Sequence, residues 1–145
     1  MSADNQITDL KNKKSDLIDS FNKISINMVT HLGNEFKDSI FGKNKTMIKN
    51  YFKFKPNEII IMYLENIYAD DVYRQHIKNG NDQFFMSQTY NELNNAGYES
   101  RIFEFKDIWG KMSNNTKLIV KDSMSMLVDH CELYLDILSQ INKLK

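Results

Sequence analysis

The chain has 145 residues, 41% of them hydrophobic and 26% charged, with a formal net charge of +0. That length fits one domain able to bury about 68–70% of its unfolded surface, so neither a metal nor a disulfide is required to hold it together. Zero net charge excludes a global attraction to nucleic acid or anionic lipid, leaving only local patches for such binding, and a lone cysteine, Cys131, excludes an intrachain disulfide and suits a reducing compartment. Five glycines and one proline are few breakers, which favours long helices over strands and turns. The N-terminal stretch Met1–Asn5 has no signal-peptide apolar region, and the longest uncharged apolar run, Ile59–Leu64, is too short to span a bilayer. The expected location is the cytoplasm.

In chain order, Ile7, Leu10, Leu17, Phe21, Ile24 and Met28 recur at three, four or seven residues and predict a long amphipathic helix with a heptad-like seam. Lys14 and His31 fill the remaining seam positions, and Gly33 is expected to end the helix. Glu35–Phe41 is expected to form a short helix with Phe36, Ile40 and Phe41 inward, closed by Gly42. Lys45–Phe54 predicts another, with Met47, Ile48, Tyr51 and Phe52 on one side. Pro56 disfavours helix at Lys55 and suits the first position of the next helix, with Glu58 in its first turn. Residues 56–68, rich in Ile, Met and Tyr, are expected at the buried centre of a bundle.

Asp70–Lys78 continues as helix to Asn79-Gly80, with Asp70 expected to pair with Arg74. Asn81–Gly97 predicts a shorter helix around Phe84, Phe85, Tyr90 and Leu93. Phe103, Phe105, Ile108 and Trp109 form an aromatic anchor, and Ser113 is placed to cap a last helix over about residues 114–143. Along it, Val120, Met124, Leu127, Cys131, Tyr134, Leu138 and Ile141 alternate steps of four and three, the cleanest heptad in the chain. The fold expected over 1–145 is a single all-α helical bundle of about six or seven helices, with long N- and C-terminal helices.

The stretch Phe105-Lys106-Asp107-Ile108-Trp109-Gly110-Lys111-Met112-Ser113-Asn114-Asn115-Thr116-Lys117 resembles a helical module of unknown function that recurs in large nucleocytoplasmic DNA viruses. There a Phe-x-x-Ile/Leu-Trp pair precedes Leu-Ser, a polar turn with Lys, and a long amphipathic helix. The resemblance implies an all-helical structural component of a virion or virus factory, and it lends no catalytic residue.

Little in the chain carries catalytic chemistry. His31, His76 and His130 are scattered, no HExxH or CxxC spacing occurs, and Cys131 falls on the apolar seam. Asp70 and Asp71 diverge by about 100° on a helix. No cofactor or metal is expected, and the protein is read as non-enzymatic. Met28, Met47, Met62, Met112, Met124 and Met126 are read as core packing. One basic patch stands out: Lys43, Lys45, Lys49, Lys53 and Lys55, with no acid between them. Lys45, Lys49 and Lys53 make an i, i+4, i+8 stripe. The plain reading is a solvated face, and the sharper one is a contact for nucleic-acid phosphate or an anionic membrane surface.

Two functional expectations follow. The first is a protein-interaction or structural protein acting through helix-mediated assembly, with a protein partner or a second copy on the Val120–Ile141 seam. A helix of about thirty residues is roughly 45 Å long, against a radius of gyration near 15 Å for a compact domain of this size. The N-terminal seam is its natural partner, in the same chain or a neighbouring one. The alternative is an accessory nucleic-acid-binding protein using the Lys43–Lys55 stripe.

Overall fold

In the computed structural model of the chain, residues 2–81 and 107–145 are described. They are all-α, with no strand among them. The elements are α1 (Ala3–Glu35), α2 (Ile40–Lys43), α3 (Lys45–Phe54), α4 (Glu58–Tyr63), a π-helical turn (Leu64–Tyr68), α5 (Asp71–Asn79) and α6 (Asn114–Leu144). Residues 107–111 are also helical. The helix expected within Asn81–Gly97, beyond Asn81 itself, and Phe103 and Phe105 of the aromatic anchor lie outside the described residues. No helix among the described residues is long and apolar enough to cross a membrane.

The two long helices begin at serine caps. Ser2 Oγ accepts the Asn5 amide at 3.2 Å, and Ser113 Oγ accepts the Thr116 amide at 3.2 Å, each satisfying one of the amides that a helix start leaves unpaired. α1 and α6 run antiparallel, because Ser20 meets His130 while His31 meets Thr116. The seam between them buries Ile18, Phe21 and Leu32 from α1 against Val120, Leu127, Cys131, Tyr134 and Ile141 from α6. Phe21 and Tyr63 make an edge-to-face ring pair at 5.7 Å. The terminal helices therefore pair within the chain.

The shorter helices cover this pair around two apolar clusters. One gathers Leu32, Tyr73, Ile77, Ile108, Trp109 and Val120, with the half-buried Phe36 and Phe41 packed on it. The other gathers Ile18, Phe21, Ile60, Leu127, Cys131 and Tyr134. Tyr63 and Tyr68 touch both. The π turn, closed by the Ala69 amide on the Leu64 carbonyl at 2.9 Å, adds a residue to one turn; within it Leu64 packs on the second cluster and Ile67 on the first.

Several expectations are corrected. Gly33 does not end α1, which runs on to Glu35. It is buried, and a Cβ there would lie 2.8 Å from the Phe41 carbonyl oxygen, so the glycine lets the chain leaving α1 fold back against the helix. The Glu35–Phe41 helix is a turn followed by the four-residue α2. Pro56 lies in the turn before α4 rather than at its first position. Within 56–68 only Ile60 is buried, and Ile61 and Met62 face outward. Asp70 does not pair with Arg74: it caps α5, accepting the Val72 and Tyr73 amides at 2.9 and 3.1 Å, while Arg74 pairs with Asp71. Gly80 ends α5 in the left-handed region at φ 62°, as its place after Asn79 predicts.

Candidate interaction surface

The assembly seam expected on α6 is mostly inside the fold. Val120, Leu127, Cys131, Tyr134 and Ile141 are buried, and Met124 and Leu138 are half-buried against the two clusters. What α6 turns outward is a second stripe. Ile119, Met126, Leu133 and Ile137 each precede a seam residue by one position, a rotation of about 100°, and Leu144 extends the row. Leu133 is 53% exposed and Met126 43%. Asp122, Asp129 and Asp136 repeat in step beside them as an acidic edge, with Asp129 held 2.7 Å from Lys78 Nζ. At the far end the stripe opens into a shallow groove where Gln140 and Leu144 meet Gln6, Leu10 and Lys13 of α1. No residue from 2 to 16 is buried, so at this end of the pair Ile7 and Leu10 of α1 are only half covered.

The lysines divide. Lys43, Lys49 and Lys53 are exposed on α2 and α3. Lys45 turns back and donates to Asn34 Oδ1, so it fastens α3 to the end of α1. Lys55 lies 3.5 Å from Glu58. The stripe read as Lys45, Lys49 and Lys53 is thus carried outward by Lys43, Lys49 and Lys53. Asn22 Nδ2 donates to the Pro56 carbonyl at 2.9 Å and holds the α3–α4 turn against α1.

The polar groups that could carry chemistry are tied into the structure. Thr116, fully buried, donates to Glu35 and accepts from Ser113 Oγ at 3.0 Å, so His31 Nε2, 3.0 Å away, is the donor to the same hydroxyl. Glu35 also accepts the Ser113 amide at 3.4 Å, which places a carboxylate at the N-terminus of α6 where the helix dipole favours it. His76 Nδ1 accepts from Asn81 Nδ2 at 3.1 Å. Cys131 is fully buried, and burial pushes its thiol up to about 12, away from the thiolate that nucleophilic chemistry needs. No group of three or more His, Cys, Asp or Glu among the described residues is arranged to hold a metal ion.

Met47, Met62 and Met126, expected in the core, are exposed, whereas Met112 is buried and Met28 and Met124 are half-buried. Ser123, His130 and Gln140 interrupt the second α6 stripe, which weakens its apolar periodicity in the sequence. The seven-residue recurrence of Ile119, Met126 and Leu133, with Asp122, Asp129 and Asp136 in the same step, was the available signal. No protein-family model, curated protein or solved structure matches this chain.

Proposed function

We propose that this protein is a non-enzymatic assembly module in which α6 carries two apolar rows, one closing the fold and one serving a second copy of the chain. The supporting observation is the row Ile119, Met126, Leu133, Ile137 and Leu144, which stays half-buried or exposed on a helix whose seam is already filled from within the chain. A two-helix pair covers only one side of each apolar stripe. Docking a second pair on the open flank makes the four-helix layer in which such rows bury against each other. Zero net charge removes repulsion between copies, and Asp122 and Asp136 on the edge of α6 complement the lysines at 11, 13 and 14 on α1 of a second copy.

The resemblance of the 105–117 stretch supports placing the module among structural components of a virion or virus factory, in the host cytoplasm. The burial of Cys131 and the structural hydrogen bonds of His31, His76 and His130 support a non-enzymatic role. Light scattering of the purified chain over a concentration series tests the reading. A dimer or larger species is expected, and a monomer at every concentration would remove self-assembly.

A further inference from the structure

A different face, formed by α3, the α3–α4 turn and α4, concentrates exposed apolar side chains beside positive charge. Phe54 is 72% exposed and Met47 63%, and Tyr51, Ile61 and Met62 are exposed as well. Met47, Tyr51 and Phe54 recur at i, i+4 and i+7, so they share one side of α3. Lys49 and Lys53 occupy the opposite outward flank, on the far side of Thr46 and Asn50. Residues 43–62 hold five lysines and one glutamate in a chain with no net charge. That glutamate, Glu58, is engaged locally: it accepts the Tyr51 hydroxyl at 2.6 Å and pairs with Lys55. The Tyr51 hydrogen bond, then the Lys55 charge, hold its carboxyl below the usual range. The Lys53 ammonium sits 5.8 Å from the centre of the Phe54 ring, so cation and apolar ring are side by side at the tip.

We infer that this face docks on an anionic phospholipid surface, with Lys43, Lys49 and Lys53 on the headgroups and Met47, Phe54 and Met62 at the acyl boundary. The mixture of side chains selects this occupant. A phosphate backbone would engage the lysines and leave the Met and Ile side chains against water. Single-stranded nucleic acid would stack bases on Tyr51 and Phe54 but leave Met47, Ile61 and Met62 against water. A lipid interface satisfies both halves at once: apolar groups enter the headgroup–acyl boundary while lysine stems lie along it and keep their charge at the phosphates. A ten-residue helix is about 15 Å long, enough to lie in that plane.

The test is flotation of the full chain with vesicles of phosphatidylcholine alone and of phosphatidylcholine mixed with phosphatidylserine. Binding is expected only to the mixed vesicles and should fall with added salt. Lys49→Gln and Lys53→Gln should each weaken it about fivefold. Phe54→Ser should weaken it by roughly tenfold or more, with the helical circular dichroism unchanged. Failure to bind the mixed vesicles at low salt overturns the inference. So does binding that is indifferent to both Phe54→Ser and Met47→Ser, because the apolar half then has no role. Displacement from the vesicles by a single-stranded oligonucleotide that the same lysine variants fail to bind would transfer the face to nucleic acid.

Discussion

Ser20 Oγ and His130 Nε2 stand 2.9 Å apart across the α1–α6 pair. The other ring nitrogen, Nδ1, lies 2.8 Å from the Met126 carbonyl oxygen. A carbonyl can only accept, so Nδ1 carries the hydrogen and Nε2 of the neutral ring accepts the Ser20 hydroxyl. Long-range nitrogen–proton correlation spectra should show the Nδ1–H form for His130 and the Nε2–H form for His31, whose Nε2 donates to Thr116. The reverse assignment at either ring would contradict the hydrogen bonding described here.

Thr116 gathers three partners, Glu35, His31 and Ser113, on one buried hydroxyl. Thr116→Val keeps the shape and removes the hydroxyl, leaving those partners unmatched. A loss of about 1–3 kcal/mol is expected in urea melts. An unchanged midpoint would mean that water replaces the hydroxyl without cost.

Trp109 is buried between Ile108, Ile77 and the start of α6, with the Lys117 ammonium 5.8 Å from its ring centre. Trp109→Ala should cost about 3–5 kcal/mol, as large aromatic truncations in cores do. Denaturant melts read this directly, and a change well under 1 kcal/mol would place the ring outside the core.

These sites show how far local signals carry. Ser113, Gly80 and the limits of Lys45–Phe54 were legible because capping, left-handed backbone and apolar spacing are decided by a few adjacent residues. The α6 seam was legible for the same reason. Gly33 misled because a buried close approach and a helix end both call for glycine, and only the position of Phe41 separates them. Ile61 and Met62 misled because an apolar run does not say which of its sides a neighbour covers. Asp71 rather than Asp70 pairs with Arg74 because α5 starts between the two aspartates and leaves Asp70 to cap it. The seven-residue recurrence marks the outer α6 row as apolar, but whether that row or the one on α3 is exposed depends on what the rest of the chain leaves uncovered.

Cys131 makes stability depend on alkaline pH. Burial lifts its thiol from an ordinary value of 9.0 to about 12. Between those values the unfolded chain releases a proton that the folded chain keeps, so stability is full below pH 9.0 and falls as pH rises towards about 12. Tyr63, raised by its own burial and then by the neighbouring Cys131, adds to the decline above pH 10.0. Cys131→Ala should remove the first part of that decline in melts taken across the range. In the native protein at neutral pH the thiol should resist Ellman's reagent and react on unfolding. A freely reactive native thiol would contradict its placement.

Assembly through the outer row of α6 is tested most directly by two charges placed two residues apart. Leu138 and Ile141 belong to the seam within the chain, so charges there would break the fold rather than report on association. Leu133, in the outer row, and Leu135, on the opposite flank at 41% exposure, both face outward, so a charge at either meets solvent rather than the core. Sedimentation velocity of the wild type, Leu133→Glu and Leu135→Glu, each checked by circular dichroism, should give a self-associated wild type, a folded monomer for Leu133→Glu and an unchanged assembly for Leu135→Glu. A wild type that sediments as a monomer throughout, or a Leu133→Glu variant that associates as well as the wild type, would contradict the account.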